Sequence, residues 1–139
     1  MNERRVDGFF YGLFMDSAVL RSSGVAPDNP RHAYVDGYRL RIGHRATLLP
    51  ASGARAYGMV IAFAHSELER LYSAPGLDQY RPEAVLAKLV GGGSVPALCY
   101  NLSNEPQADE RNADYAARLQ SSLRELGFPP EYIDSVARC

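Results

Sequence analysis

The residues best suited to chemistry lie near the start of the chain, in Tyr11-Gly12-Leu13-Phe14-Met15-Asp16. They end an aromatic run, DGFFYGL at 7–13, that suits a buried strand. An isolated glycine near the end of such a strand suggests a bend or a close backbone approach. If the strand turns there into a helix, N–H groups point outward beside the helix N-terminus, which suits a carboxylate or a phosphate. A purely packing role for Gly12 is the commoner use of a glycine at this place. Cys99 lies in an apolar segment beside Tyr100 with no histidine paired to it, as an inert buried thiol would. His32, His44 and His65 sit in strand or turn contexts and not at ligand spacing. With only Cys99 and Cys139 besides, and no CxxC, no metal site is expected and no cofactor is implied. Ser66-Glu67-Leu68-Glu69 fits a capping box, Ser66 at the N-cap and Glu69 reaching back.

These groups need elements to hold them. After the first strand, DSAVLRSSG reads as a short helix with Asp16 or Ser17 as N-cap and Gly24 as its stop. VAPDNPR follows as a turn-rich connection. Residues 32–49 alternate as two or three strands would, with Asp36-Gly37 as a hairpin dipeptide and 50–53 as another turn. ARAYGMVIAFA reads as a strand buried on both faces, and the helix opened at Ser66 must stop before Pro75-Gly76. YRPEAVLAKLV suits strand or helix. Strand is favoured, because SVPALCYNL is a strand and Gly91-Gly92-Gly93 would join the two as a hairpin. The tail, ADERNADYAARLQSSLRELG, puts Tyr115, Leu119, Leu123 and Leu126 on one helical stripe, with Gly127 as its cap and Pro129-Pro130 beyond. EYIDSVARC is a last short helix. Strands first and helices last argue for an α+β fold over a doubly wound sheet.

Composition narrows the partners. The 139 residues fit one domain, and 46% hydrophobic with 22% charged residues is an ordinary globular balance. Fifteen basic and sixteen acidic residues give a net charge of −1, with no electrostatic footprint for nucleic acid or an anionic membrane. Nine of the fourteen aromatics are tyrosines, able to line a cavity as well as fill a core. The N-terminal MNERRVDGFFYGLFMD reads as a first strand and not as a signal peptide. No stretch approaches the ~20 apolar residues of a spanning helix. Reduced thiols then fit a cytoplasmic setting.

Six short segments, in order, resemble the γ-glutamylcyclotransferase-like family. Tyr11-Gly12 is similar to its Tyr-Gly signature after an aromatic strand. Gly37-Tyr38-Arg39-Leu40 and Leu48-Leu49-Pro50 resemble its next strands, and Tyr57-Gly58-Met59-Val60 its Val-x-Gly-x-Val-Tyr strand. Leu68, Leu71 and Gly76-Leu77 are similar to its Leu-x-x-Leu-Asp-x-x-Glu-Gly-Val stretch, with Tyr80 near the tyrosine that follows. Ala97-Leu98-Cys99-Tyr100 resembles its closing strand. The resemblance covers about residues 8–101 and implies a small mixed β-barrel with flanking helices, here followed by a helical tail over 109–139.

The resemblance also implies a reaction. Family enzymes release 5-oxoproline from γ-glutamyl compounds: the α-amine attacks its own γ-carbonyl and expels an amine. That amine is mostly protonated at neutral pH, so it needs a general base, while folding into a five-membered ring supplies proximity. By the resemblance, Tyr11, Gly12, Leu13, Phe14, Met15 and Tyr80 would bind the substrate, the loop through its backbone N–H groups. Two departures stand out. Leu13 and Phe14 are bulky where the family has small or polar residues, and Pro75 stands where the family carries its glutamate. Proline cannot accept a proton, so Glu83 is the nearest substitute base, with Asp78 as another. Three readings follow: a cyclotransferase with a relocated base; a catalytically silent module binding a small carboxylate ligand; and a protein-interaction domain using the striped tail helix.

Overall fold

The computed structural model describes residues 4–139, so the first three positions of the expected N-terminal strand lie outside the described residues. Five strands form a closed barrel in the order β1-β3-β2-β4-β5. They are β1 (Arg5–Phe10), β2 (Asp28–Ile42), β3 (Ala46–Ala64), β4 (Tyr80–Leu89) and β5 (Ser94–Leu102). Every pairing is antiparallel except the closure, where β1 runs parallel to β5 with Gly8 opposite Leu98. Closure removes the unpaired edges that an open sheet would present. Four helices flank the barrel: α1 (Ser17–Ser22), α2 (His65–Tyr72), α3 (Ala113–Glu125) and α4 (Pro130–Val136). None of the described helices is long and apolar enough to cross a membrane.

The mixed α+β barrel with flanking helices and a helical tail is the architecture expected from the sequence. The β4–β5 hairpin forms as expected, with Lys88 opposite Ser94 across the triple glycine. In β3, Met59, Val60 and Ile61 are all buried, as a strand covered on both faces requires. Asp16 caps α1, its carboxylate accepting from the Ala18 N–H at 2.8 Å. The tail stripe is core and not a free surface: Leu119 and Leu123 are fully buried, and Tyr115 and Leu126 pack against the same cluster.

Three local expectations are corrected. Asp36-Gly37 makes no hairpin: β2 runs straight through it, and Gly37, at φ +85°, lies where the register against β3 shifts between Asp36 and Tyr38, the extra residues being 51–54 of β3. The left-handed residue that a hairpin turn would use thus serves a bulge. The true hairpin lies at residues 43–45, where the Gly43 N–H donates to the Arg45 oxygen at 3.0 Å. The connection expected at 25–31 is half strand, since β2 already begins at Asp28. The cap of α2 is Ala64, whose N–H donates to Glu67 at 2.8 Å. Glu69 is held elsewhere, beside His65 one turn back at 3.3 Å.

One glycine fixes how closely β3 can approach the end of β1. A Cβ on Gly58 would fall 2.1 Å from the Phe10 carbonyl oxygen, a backbone atom that cannot swing aside. Gly58→Ala is expected to cost about 3 kcal/mol by forced backbone displacement. Gly91→Ala, where an added Cβ meets nothing within 4 Å, should stay within about 0.5 kcal/mol of wild type. Chemical denaturation of the two variants checks the pair; equal stabilities would contradict the packing at Gly58.

Candidate functional site

Beyond Phe10 the chain leaves the barrel wall and makes a single 3₁₀ turn at Leu13–Met15 before α1. The turn is closed by the Met15 N–H to the Gly12 oxygen and the Asp16 N–H to the Leu13 oxygen, each at 3.0 Å. A third N–H of the loop is also engaged, in a way the sequence did not suggest. Tyr115, from the tail helix, reaches the loop, and its hydroxyl accepts from the Leu13 N–H at 3.2 Å. Gly12 makes room for it, because a Cβ there would lie 2.3 Å from the Tyr115 hydroxyl oxygen. The N–H groups of Gly12 and Phe14 have no hydrogen-bond acceptor among the described residues.

This loop forms one wall of a cavity of about 190 Å³. Tyr11, Gly12, Leu13, Phe14 and Tyr80, all expected from the sequence, line it. Phe10, Tyr72, Leu77 and Tyr115 complete the apolar walls, and His44, Arg45 and Ala46 come in from the β2–β3 turn. Met15 is not in the lining; it turns inward and is 2% exposed. Glu83 is not in the lining either. It is exposed on β4, opposite Cys99, and its carboxylate accepts from the Asn101 side-chain amide. Asp78 is exposed in the loop before β4, also outside the lining. The described lining therefore contains no carboxylate.

The walls are an aromatic lattice. Tyr72 stacks on Tyr100 at 3.9 Å between ring centroids and tilts against Tyr80 at 5.8 Å. Phe14 meets the Tyr72 ring edge-on at 5.7 Å. The hydroxyls find backbone partners: Tyr11 donates to the Tyr100 oxygen at 2.7 Å and Tyr80 to the Ala46 oxygen at 2.5 Å. Burial pushes the Tyr11 and Tyr72 phenols well above their ordinary value, and it moves Tyr80 and Tyr115 the same way. At neutral pH these walls are uncharged, so none of these tyrosines is a phenolate base. Burial likewise raises the Cys99 thiol, which is fully buried and unlike a nucleophile.

The turn that carries His44 and Arg45 is held by the segment entering the tail. Glu110 accepts from the His44 N–H at 3.0 Å and from the Gln107 N–H at 2.8 Å, and these donors hold its carboxyl below the usual range. The Asn112 side chain donates to the His44 oxygen at 3.2 Å. Arg45 then lies against Gly76, where a Cβ would fall 2.6 Å from its Nη2. Gly76 is also left-handed, at φ +86°, and that backbone conformation is what suits glycine there. Sequence reasoning passed over Arg45, Tyr72 and Tyr115. Only the spacing of Arg45 after Gly43-His44, once the hairpin is known to turn there, would have shown it.

A family model described as gamma-glutamyl cyclotransferase, AIG2-like, matches residues 8–118. No curated protein matches the chain in sequence. Among solved structures, the chain is similar to one named gamma-glutamyl cyclotransferase, with 18% identity, a TM-score of 0.82, and coverage of 96% of this chain and 86% of that one. A Homo sapiens protein described as uncharacterized gives 19% identity and a TM-score of 0.82, covering 96% of this chain and 87% of its own. A yeast gamma-glutamyl cyclotransferase specific to glutathione gives 12% and 0.64, covering 99% and 95%. At such identities the structures show a shared fold.

Two predictions follow from the packing of the site. Gly12→Ala should cost about 1–3 kcal/mol, because the new methyl displaces the Tyr115 hydroxyl. Tyr115→Phe alone should cost about 1 kcal/mol for the lost hydrogen bond. In the double variant the Cβ would face the ring carbon, 3.7 Å away. The two costs should then fall short of additive by about 1 kcal/mol or more, read from denaturation midpoints; simple additivity would sink the contact. Alkali gives the second. Tyr11 and Tyr72 hold their protons more tightly folded than unfolded, so their contribution is intact below the ordinary phenol pKa of about 10 and lost as pH rises past it. The urea midpoint should fall above about pH 10, and a midpoint flat to pH 12 would contradict the burial.

Proposed function

We infer the function from one premise: the chain belongs to the gamma-glutamyl cyclotransferase, AIG2-like family. Its function is accordingly γ-glutamyl cyclotransferase-like, and the finer reading is ours. The chain binds a small ligand carrying a carboxylate in the aromatic cavity and does not release 5-oxoproline from it. The observation that carries this reading is that no carboxylate is found in the described lining.

Intramolecular attack needs the ligand's α-amine deprotonated, and its ordinary pKa of about 7.7–8.0 leaves most of it charged at pH 7. The cavity offers poor acceptors for that proton. Its phenols are held neutral, a guanidinium cannot accept, and His44 stands at the rim with its side chain 78% exposed, 3.9 Å from Glu110. Glu83, the expected substitute base, is engaged with Asn101 outside the lining. Binding is better provided for. The Gly12 and Phe14 N–H groups are free to meet a carboxylate, and the surrounding aromatic wall lowers the local dielectric that such a contact feels. Family membership favours the rival reading, in which 5-oxoproline is released, and there Glu83 is the substitute base.

A panel of γ-glutamyl amines and peptides separates the two, with heat of binding and 5-oxoproline release measured on the same samples. Saturable binding without release, equal in wild type and Glu83→Gln, is the expected result. Release that disappears in Glu83→Gln would establish the rival. Release that survives the substitution would make the chain an enzyme with a base other than Glu83.

A further inference from the structure

We propose that Arg45 is a specificity-determining residue, selecting for the aromatic cavity those ligands that carry a second carboxylate: short dicarboxylates or acidic amino acids. The proposal rests on the carboxylate-binding reading above and narrows its ligand class.

Arg45 closes the β2–β3 turn, and its own side chain takes no part in holding that turn. The backbone is fixed by the Gly43 N–H to the Arg45 oxygen, by Glu110 on the His44 N–H and by Asn112 on the His44 oxygen. The guanidinium lies against Gly76 instead, where a Cβ would fall 2.6 Å from its Nη2. Arg45 lines the cavity, and its charge is felt by the Tyr80 phenol.

Nothing neutralises this charge among the described residues. Their ion pairs occupy Arg5, Arg31, Arg55, Lys88 and two histidines, and none includes Arg45. The acid closest to the turn, Glu110, has both oxygens on backbone N–H groups. Arg45 is exposed at the edge of the cavity, so an anion there meets its charge partly through solvent, and the geometry of the contact matters more than its strength. Its planar fork also matches a carboxylate bidentately, which a point charge does not.

Two separate sets of donors on lining residues thus have no partner among the described residues, the Gly12 and Phe14 N–H groups and the Arg45 guanidinium. One carboxylate satisfies the first, which leaves the second for another. The volume of about 190 Å³ equals the liquid share of roughly six waters, at ~30 Å³ each. That admits a chain of about five carbons.

Titration calorimetry with glutarate and butyrate, on wild type and Arg45→Gln, tests the assignment. The two ligands are nearly alike in length and differ in the second carboxylate. Wild type is expected to bind glutarate at least about tenfold more tightly than butyrate, the effect of a charged hydrogen bond. Arg45→Gln should bring the two within about threefold, with butyrate unchanged. Equal affinities in wild type, or a variant that weakens both ligands alike, would overturn the role of Arg45 and leave the binding reading standing. Binding of neither ligand by wild type would overturn both.

Discussion

A buried guanidinium holds the two halves of this molecule together. Arg41, on β2 and 8% exposed, points its fork at backbone oxygens and not at an acid. It donates to Gln107 at 2.7 Å, Glu110 at 3.2 Å and Cys139 at 3.3 Å, and also to Ile42. The Ile42 N–H adds a bond to the Cys139 oxygen at 3.0 Å. A buried charge is tolerable only when its donors are used, and here using them requires the tail to return to the barrel. Removing Arg41 would leave several carbonyls without their donor, a larger loss than any one of the bonds.

The position of the site follows from that return. With 107–110 fixed on Arg41, Glu110 reaches the His44 N–H and sets the turn that carries Arg45. A few residues on, α3 brings Tyr115 to the Tyr11–Met15 loop, and Gly12 is bare enough to receive it. The cavity is therefore enclosed from both sides by groups whose positions trace to one stitched segment. Its walls are largely apolar and its phenols stay neutral, so the charge it presents is that of Arg45. A pocket built in this way is suited to holding an anion and poorly supplied with a strong base.

Several features could be read from residues alone because their cause is local. The Asp16 cap, the strand pair around the triple glycine and the stripe of α3 depend on neighbours within a few positions. Asp36-Gly37 shows the limit of local reading. The dipeptide favours a left-handed residue, and Gly37 is left-handed, but β3 pairs on both sides of it and makes the result a bulge. Ser66-x-x-Glu69 fails in a similar way: the box pattern is present, and the helix begins two residues earlier, capped by Ala64, where Glu67 is placed to reach Ala64.

The candidate site divides along the same line. The Tyr11–Phe14 wall was legible because an aromatic strand ending in a glycine constrains its own backbone. Arg45, Tyr72 and Tyr115 were not, since they come from a turn and two helices that only barrel closure and the Arg41 stitch bring together. Glu83 shows the converse. Its spacing after Tyr80 placed it near the substrate, while its pairing with Asn101 across β4 and β5 holds it outside the lining. By itself the sequence determined the fold class and one wall of the cavity, because periodicity and turn chemistry act between neighbours. Tertiary structure alone decided which charges face that cavity, because that depends on contacts between residues as much as 102 positions apart.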